Sequence, residues 1–122
     1  MSIRAQGIPP VETFFRFNDT NTGAIAIDEI ANSEWIMEQI TAHWASVPTT
    51  SESLTLVKDS VEGASYDTTL ISFDPTVDGV QNLVCNNPFR FAKGDRVVVA
   101  YPGTDSIACG VEIMLRQVKR RV

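Results

Sequence analysis

The residues able to do chemistry are few. The chain has one histidine, His43, and two cysteines, Cys85 and Cys109. A nucleophile–base pair needs a Ser, Cys or His with a partner within hydrogen-bond reach. His43 stands among apolar neighbours in Thr41-Ala42-His43-Trp44, a setting that suits a half-buried structural imidazole better than a catalytic one. Each cysteine lies in an apolar run, and there is neither a CxxC nor a second histidine. Buried thiols are expected, with a pairing across neighbouring strands as the alternative. No GxSxG, HExxH or phosphate-cradling glycine run occurs. The acidic residues Asp19, Asp59, Asp67, Asp74, Asp78, Asp95 and Asp105 fall in turn-like stretches, where aspartate bonds the local backbone. Asn18-Asp19-Thr20-Asn21-Thr22-Gly23 has the oxygen content of a calcium loop but lacks the downstream glutamate at the required spacing. Lys93-Gly94-Asp95 is what a tight turn ahead of a strand needs. The expectation is a protein that is not an enzyme, with no cofactor and no metal.

The elements that would hold such residues are β-strands. In Ile107–Leu115 the residues Ile107, Cys109, Val111, Ile113 and Leu115 fall on one side, and Ala108, Gly110, Glu112 and Met114 on the other, the period of two of a half-buried strand. Arg96-Val97-Val98-Val99-Ala100-Tyr101 precedes it across Pro102-Gly103-Thr104-Asp105-Ser106, and the two runs read as an antiparallel hairpin. Thr13–Phe17 and Gly23–Ile27 could pair as another. Leu54–Lys58, Thr68–Phe73, Val80–Cys85 and Phe89–Phe91 are further short strands separated by Gly-, Pro- and Asn-rich turns. Residues 33–46 are ambiguous. Ile36, Ile40 and Trp44 recur at helical spacing, whereas a strand would put them with Glu38 and Ala42 and leave Trp35, Met37, Gln39, Thr41 and His43 opposite. The β-rich surroundings favour a strand. Short strands at this spacing point to a sandwich or small barrel.

With 122 residues the chain is one domain, large enough to fold without disulfide or metal. Three segments are expected: an extended N-terminal arm over 1–12, a β-sandwich over 13–116 and a basic C-terminal tail over 117–122. The arm contains Pro9 and Pro10, which remove backbone donors and fix φ. The net charge of −5 argues against a nucleic-acid surface, although Arg116, Lys119, Arg120 and Arg121 crowd the C-terminal end. No apolar run suits a signal peptide or a membrane span.

The aromatic residues suggest contact with other chains. Adjacent Phe14 and Phe15 must point to opposite faces of a strand, and Trp35 and Trp44, nine residues apart, would do the same. Large apolar groups on both faces imply that one face is covered by a partner.

Taken in order, Ser53-Leu54-Thr55-Leu56, Tyr66-Asp67, Gly94-Asp95-Arg96-Val97-Val98-Val99-Ala100-Tyr101-Pro102 and Gly110-Val111-Glu112-Ile113 resemble small β-sandwich virion proteins of tailed bacteriophages, over about residues 35–115. The resemblance implies an all-β, antiparallel, jelly-roll-like sandwich; the extended arm and the basic tail lie outside it. It further implies capsid decoration, cementing or fibre anchoring, usually by homo-oligomers. On that reading the partners are further copies of the chain, in a trimer for example, and the major capsid protein or another virion protein. The location is the virion, after assembly in the host cytoplasm. Ile3, Ile8, Pro9, Pro10, Val11, Phe14, Phe15, Trp35, Arg116, Lys119, Arg120 and Arg121 would make the contacts. One alternative is a carbohydrate- or receptor-binding module of a tail or fibre, with Trp35 and Trp44 available for sugar stacking. The other is a head–tail connector component whose basic tail lies near DNA.

Overall fold

The computed structural model describes residues 12–118. Nine strands run in chain order: β1 (Glu12–Thr22), β2 (Ile25–Ile30), β3 (Trp35–Trp44), β4 (Leu54–Asp59), β5 (Thr68–Phe73), β6 (Asn82–Cys85), β7 (Arg90–Phe91), β8 (Arg96–Tyr101) and β9 (Ala108–Val118). A one-turn helix, α1 (Pro75–Asp78), precedes β6. Glu12 therefore already belongs to β1 and Gln117 and Val118 to β9, so the expected arm and tail boundaries each move outward. The rest of the arm and tail lies outside the described residues.

The strands form two antiparallel sheets. The first has the order β1-β9-β3-β6, with β7 also pairing β3, and the second has the order β2-β8-β4-β5. Pro88, in the Asn86-Asn87-Pro88 stretch, separates β6 from β7; proline cannot donate to a ladder. Both short strands therefore share one position beside β3. Two four-wide sheets in this order, with the chain passing repeatedly between them, make a jelly roll.

This topology corrects both expected hairpins. β8 pairs with β2 and β4, while β9 pairs with β1 and β3. Likewise β1 and β2 lie in different sheets. The Pro102-Gly103 and Gly23-Ala24 turns thus carry the chain across the sandwich instead of folding it back within a sheet. The real hairpin is β4–β5.

The core lies between the sheets. Met37, Ile40, Leu56, Val97, Ile113 and Leu115 are fully buried there. On β9 the expected alternation holds: Cys109, Val111, Ile113 and Leu115 are buried and Ile107 packs against them. β3 resolves its ambiguity by a bulge. Met37 faces Leu115 and Gln39 faces Met114, so Glu38 is an extra residue in the ladder. One extra residue reverses which side chains point inward. Trp35 and Met37 point inward before the bulge, Ile40, Ala42 and Trp44 after it. The two tryptophans therefore share a face, contrary to the expected opposition.

Loops gather at two ends. At one, the Asp105 carboxylate accepts from the Thr49 and Thr50 amides at 2.7 and 2.8 Å and from both hydroxyls. Glu52 accepts from the Thr104 amide and hydroxyl at 3.0 and 2.8 Å. Ser51 donates to Asp74, which also caps α1 through the Thr76 amide. Gly103, at φ 63°, lies directly on the Gly23 backbone. At the other end Asp95 is 4% exposed. It accepts from the Val61 amide at 2.9 Å and the Ala92 amide at 2.8 Å. Its own main chain and that of Gly94 bond Ala31 at 2.8 and 2.7 Å.

Candidate functional site

The outer face of the first sheet carries the best-formed site. Strand register places its residues in rows across four strands. Thr20 (β1), Gly110 (β9), His43 (β3) and Asn82 (β6) make one row; Asn18, Glu112, Thr41 and Val84 make the next. All point away from the core because they alternate with the buried residues of each strand. Gly110 has no side chain, so the centre of the first row is hollow. The result is an open depression of about 540 Å³ lined by both rows.

Its polar groups are arranged as follows. His43 Nδ1 lies 2.7 Å from Asn82 Oδ1. With that oxygen accepting, Nδ1 carries a proton; in the neutral ring Nε2 is then an acceptor, and the Asn82 Nδ2 hydrogens remain available. Glu112 lies 3.7 Å from Arg16, both side chains being about half exposed, a separation at which an exposed pair contributes little. Val84, 61% exposed, supplies an apolar wall. Among the described residues lining the depression, none is Lys or Arg. A second, smaller hollow of about 260 Å³ opens beside β1, between Thr13, Phe15, Phe17, Asn32, Trp35 and Gln117.

The structure separates the expected contact residues. Phe14 is on the outer face of β1 and 57% exposed, as a contact residue should be. Phe15 is half-buried, with its ring centroid 4.9 Å from that of Trp35 and 5.6 Å from that of Phe17. Trp35 is 4% exposed and belongs to the core. It is therefore corrected from partner contact to core residue: the bulge turns it inward. Trp44, 1% exposed, packs on Tyr101 and Phe73, so neither tryptophan offers a stacking platform. Arg116 is largely covered and 3.6 Å from Glu38; the bulge that turns the tryptophans inward gives this cation an intramolecular partner. Ile3, Ile8, Pro9, Pro10, Val11, Lys119, Arg120 and Arg121 lie outside the described residues.

The cysteines are free. Cys85 is on β6 and Cys109 on β9, with β3 between the two strands. Burial pushes the Cys109 thiol up, and it donates to the Gly23 carbonyl at 3.4 Å. Among the described residues no three His, Cys, Asp or Glu side chains are grouped to hold a metal ion, and no helix is long and apolar enough to cross a membrane.

Sequence reasoning missed the depression itself. Its one local signal is Gly110 inside an otherwise regular strand, where glycine weakens packing and marks a bend, a bulge or a close approach. Asn18, Thr20, Thr41 and Asn82 come from strands that the sequence does not show to be neighbours.

No protein-family model matches the chain, and no curated protein matches it in sequence. Among solved structures it is similar to a protein of an archaeal virus with a triple jelly roll and a turret assembly. The identity is 11% and the TM-score 0.49, with 92% of this chain and 30% of that chain covered. The chain therefore spans under a third of that protein's length. It is also similar to the Yersinia pseudotuberculosis-derived mitogen, at 10% identity and a TM-score of 0.38, covering 93% and 90% of the two chains. Identities this low speak to fold alone.

Proposed function

We propose that this chain is a non-enzymatic structural protein of a virus particle that acts by adhesion, in the manner of capsid-decorating, cementing or fibre-anchoring proteins. Jelly rolls recur in viral capsid domains and in lectins, and that fold-level analogy sets the class. The observation that carries the reading is the edge of β1. Its 11 residues run in unbroken register with β9, and among the described residues no strand pairs with its other side. Asp19 ties the second half of β1 to the Ala26 amide of β2, which leaves the stretch from Glu12 to Phe17 as the open edge. Proteins blunt such edges with bulges, prolines or charged side chains; this stretch has no bulge, proline or lysine, and between the charged Glu12 and Arg16 it presents Phe14.

A second copy fits there. Antiparallel pairing centred on Phe15 would set Phe14 of each copy against Arg16 of the other, a cation–aromatic contact. It would also close the hollow beside Phe15 and Phe17. Pairing of this kind draws its affinity from main-chain hydrogen bonds and its register from the side chains.

Light scattering across a concentration series tests the mechanism. The expected result is a dimer or a higher closed oligomer for the native chain and a monomer for Phe14→Lys, with unchanged circular dichroism. A native monomer at every concentration, or an oligomer indifferent to Phe14→Lys, would sink pairing through β1.

A further inference from the structure

We infer that the depression around Gly110 is a binding site for a neutral, hydroxyl-rich ligand of the saccharide class. The argument begins with the glycine. A strand-interior glycine costs about 0.5–1 kcal/mol relative to alanine, and its usual reasons are a bulge, a bend or the close approach of another group. The ladders to Thr20 and His43 pass through Gly110 without a register shift, and its φ is not positive. The nearest atom to a built Cβ is the Thr20 Cγ2 methyl, at 3.2 Å, on a β-branched side chain with little χ1 freedom. Bulge and bend are absent; the missing side chain makes room for that methyl on one side and leaves the sheet face beside it open to another group.

The lining names the ligand's chemistry. Asn82, Asn18, Thr20 and Thr41 offer donors and acceptors, His43 Nε2 an acceptor, and Glu112 a carboxylate. A hydroxyl group is donor and acceptor at once and can use such a mixed set. A phosphate would meet the Glu112 carboxylate, which Arg16 at 3.7 Å offsets only from outside the lining. A divalent ion would find a single carboxylate. The Gly110 Cα and the Val84 side chain provide an apolar floor and wall for the C–H face of a sugar ring. A volume of about 540 Å³ lies within the range of small-ligand clefts. No Phe, Tyr or Trp ring is among the described residues lining the depression, so each site binds weakly and gains strength only by repetition across an assembly.

This site does not depend on the edge of β1, so the two ideas fail separately. The test is an amide-correlation NMR titration of the full chain with glucose, galactose, mannose, N-acetylglucosamine and short oligomers of each, with inorganic phosphate as a control. At least one sugar should shift the amides of Gly110, Thr41 and Asn82 in a saturable way, and phosphate should leave them in place. Asn82→Ala and Glu112→Gln, both at solvent-facing positions, should weaken that sugar at least tenfold while the rest of the spectrum stays native. Gly110→Leu should abolish binding by filling the hollow. The assignment is overturned if no sugar moves these amides, if the shifts map elsewhere, or if phosphate competes.

Discussion

The two ends of the sandwich are held by opposite strategies. At the end where Gly23 meets Gly103, three carboxylates share the work: Asp105 to Thr49 and Thr50 and Glu52 to Thr104 tie the β3–β4 loop to the β8–β9 loop, and Asp74 to Ser51 ties it to the segment after β5. These bonds are exposed or half-exposed, and the load is shared. At the other end a single buried side chain, Asp95, gathers the loops after β4 and β7 and holds the turn that bonds Ala31. Shared exposed bonds tolerate the loss of one member, since water can replace it. A buried hub does not, because its orphaned donors have no solvent to turn to.

Three substitutions would break or sharpen this contrast. Gly103→Ala should do the most damage. Its Cβ would lie 2.1 Å from the Gly23 carbonyl carbon and 2.6 Å from the Ala24 nitrogen, and φ of 63° already disfavours an L side chain. A loss on the order of 4 kcal/mol, or no folded protein, is expected in urea denaturation. A loss below about 1 kcal/mol would mean the loops can part cheaply there. Asp95→Ala comes next. It strands the Val61 and Ala92 amides and should cost about 2–4 kcal/mol, with hydrogen exchange quickening first around Val61.

The smallest effect belongs to Asp105→Asn. Hydrogen bonding, foremost from the Thr50 hydroxyl, holds the Asp105 carboxyl below its ordinary value of 3.8, and Ser51 and Thr76 do the same for Asp74. A carboxyl with a depressed folded pKa adds stability that is full above its unfolded pKa and is lost as pH falls through the folded one. Thermal melts between roughly pH 5 and 2 should therefore show a drop in the native chain that is shallower in Asp105→Asn. An equal drop in both would place acid sensitivity elsewhere.

How much of this was legible depended on whether the physics was local. The alternation of β9 could be read residue by residue because its 11-residue ladder to β1 runs without interruption. β3 was read as a strand, as it is, but its faces were not, since Glu38, unmatched in the ladder to β9, inverts the alternation halfway. That inversion is what turned Trp35 from a proposed contact into core. Pairing was the harder question. Alternation tells which face a residue takes, never which strand lies alongside, so Arg96–Tyr101 and Ile107–Leu115 read as a hairpin although β8 and β9 face each other across the core. Asp67, Asp74, Asp95 and Asp105 do sit in turns or loops, whereas Asp19 lies within β1 and Asp59 ends β4; and Asp105 reaches Thr50, 55 positions away. Of the depression only Gly110 gave a sign, because its walls are assembled from four distant stretches. Phe14 was legible because neighbouring phenylalanines in a strand must separate.

The pairing of β1 with β9 has a consequence for synthesis. Glu12 sits opposite Val118, so the strand made earliest among those described waits for the last before it has a neighbour on that side. Such non-local topologies fold on the millisecond-to-second scale, and a ribosome adds only about 5–20 residues each second. For several seconds, therefore, the Phe14-Phe15-Arg16-Phe17 stretch emerges with neither of its edges paired to β9. That interval, more than the folded state, is when this chain is most exposed to aggregation.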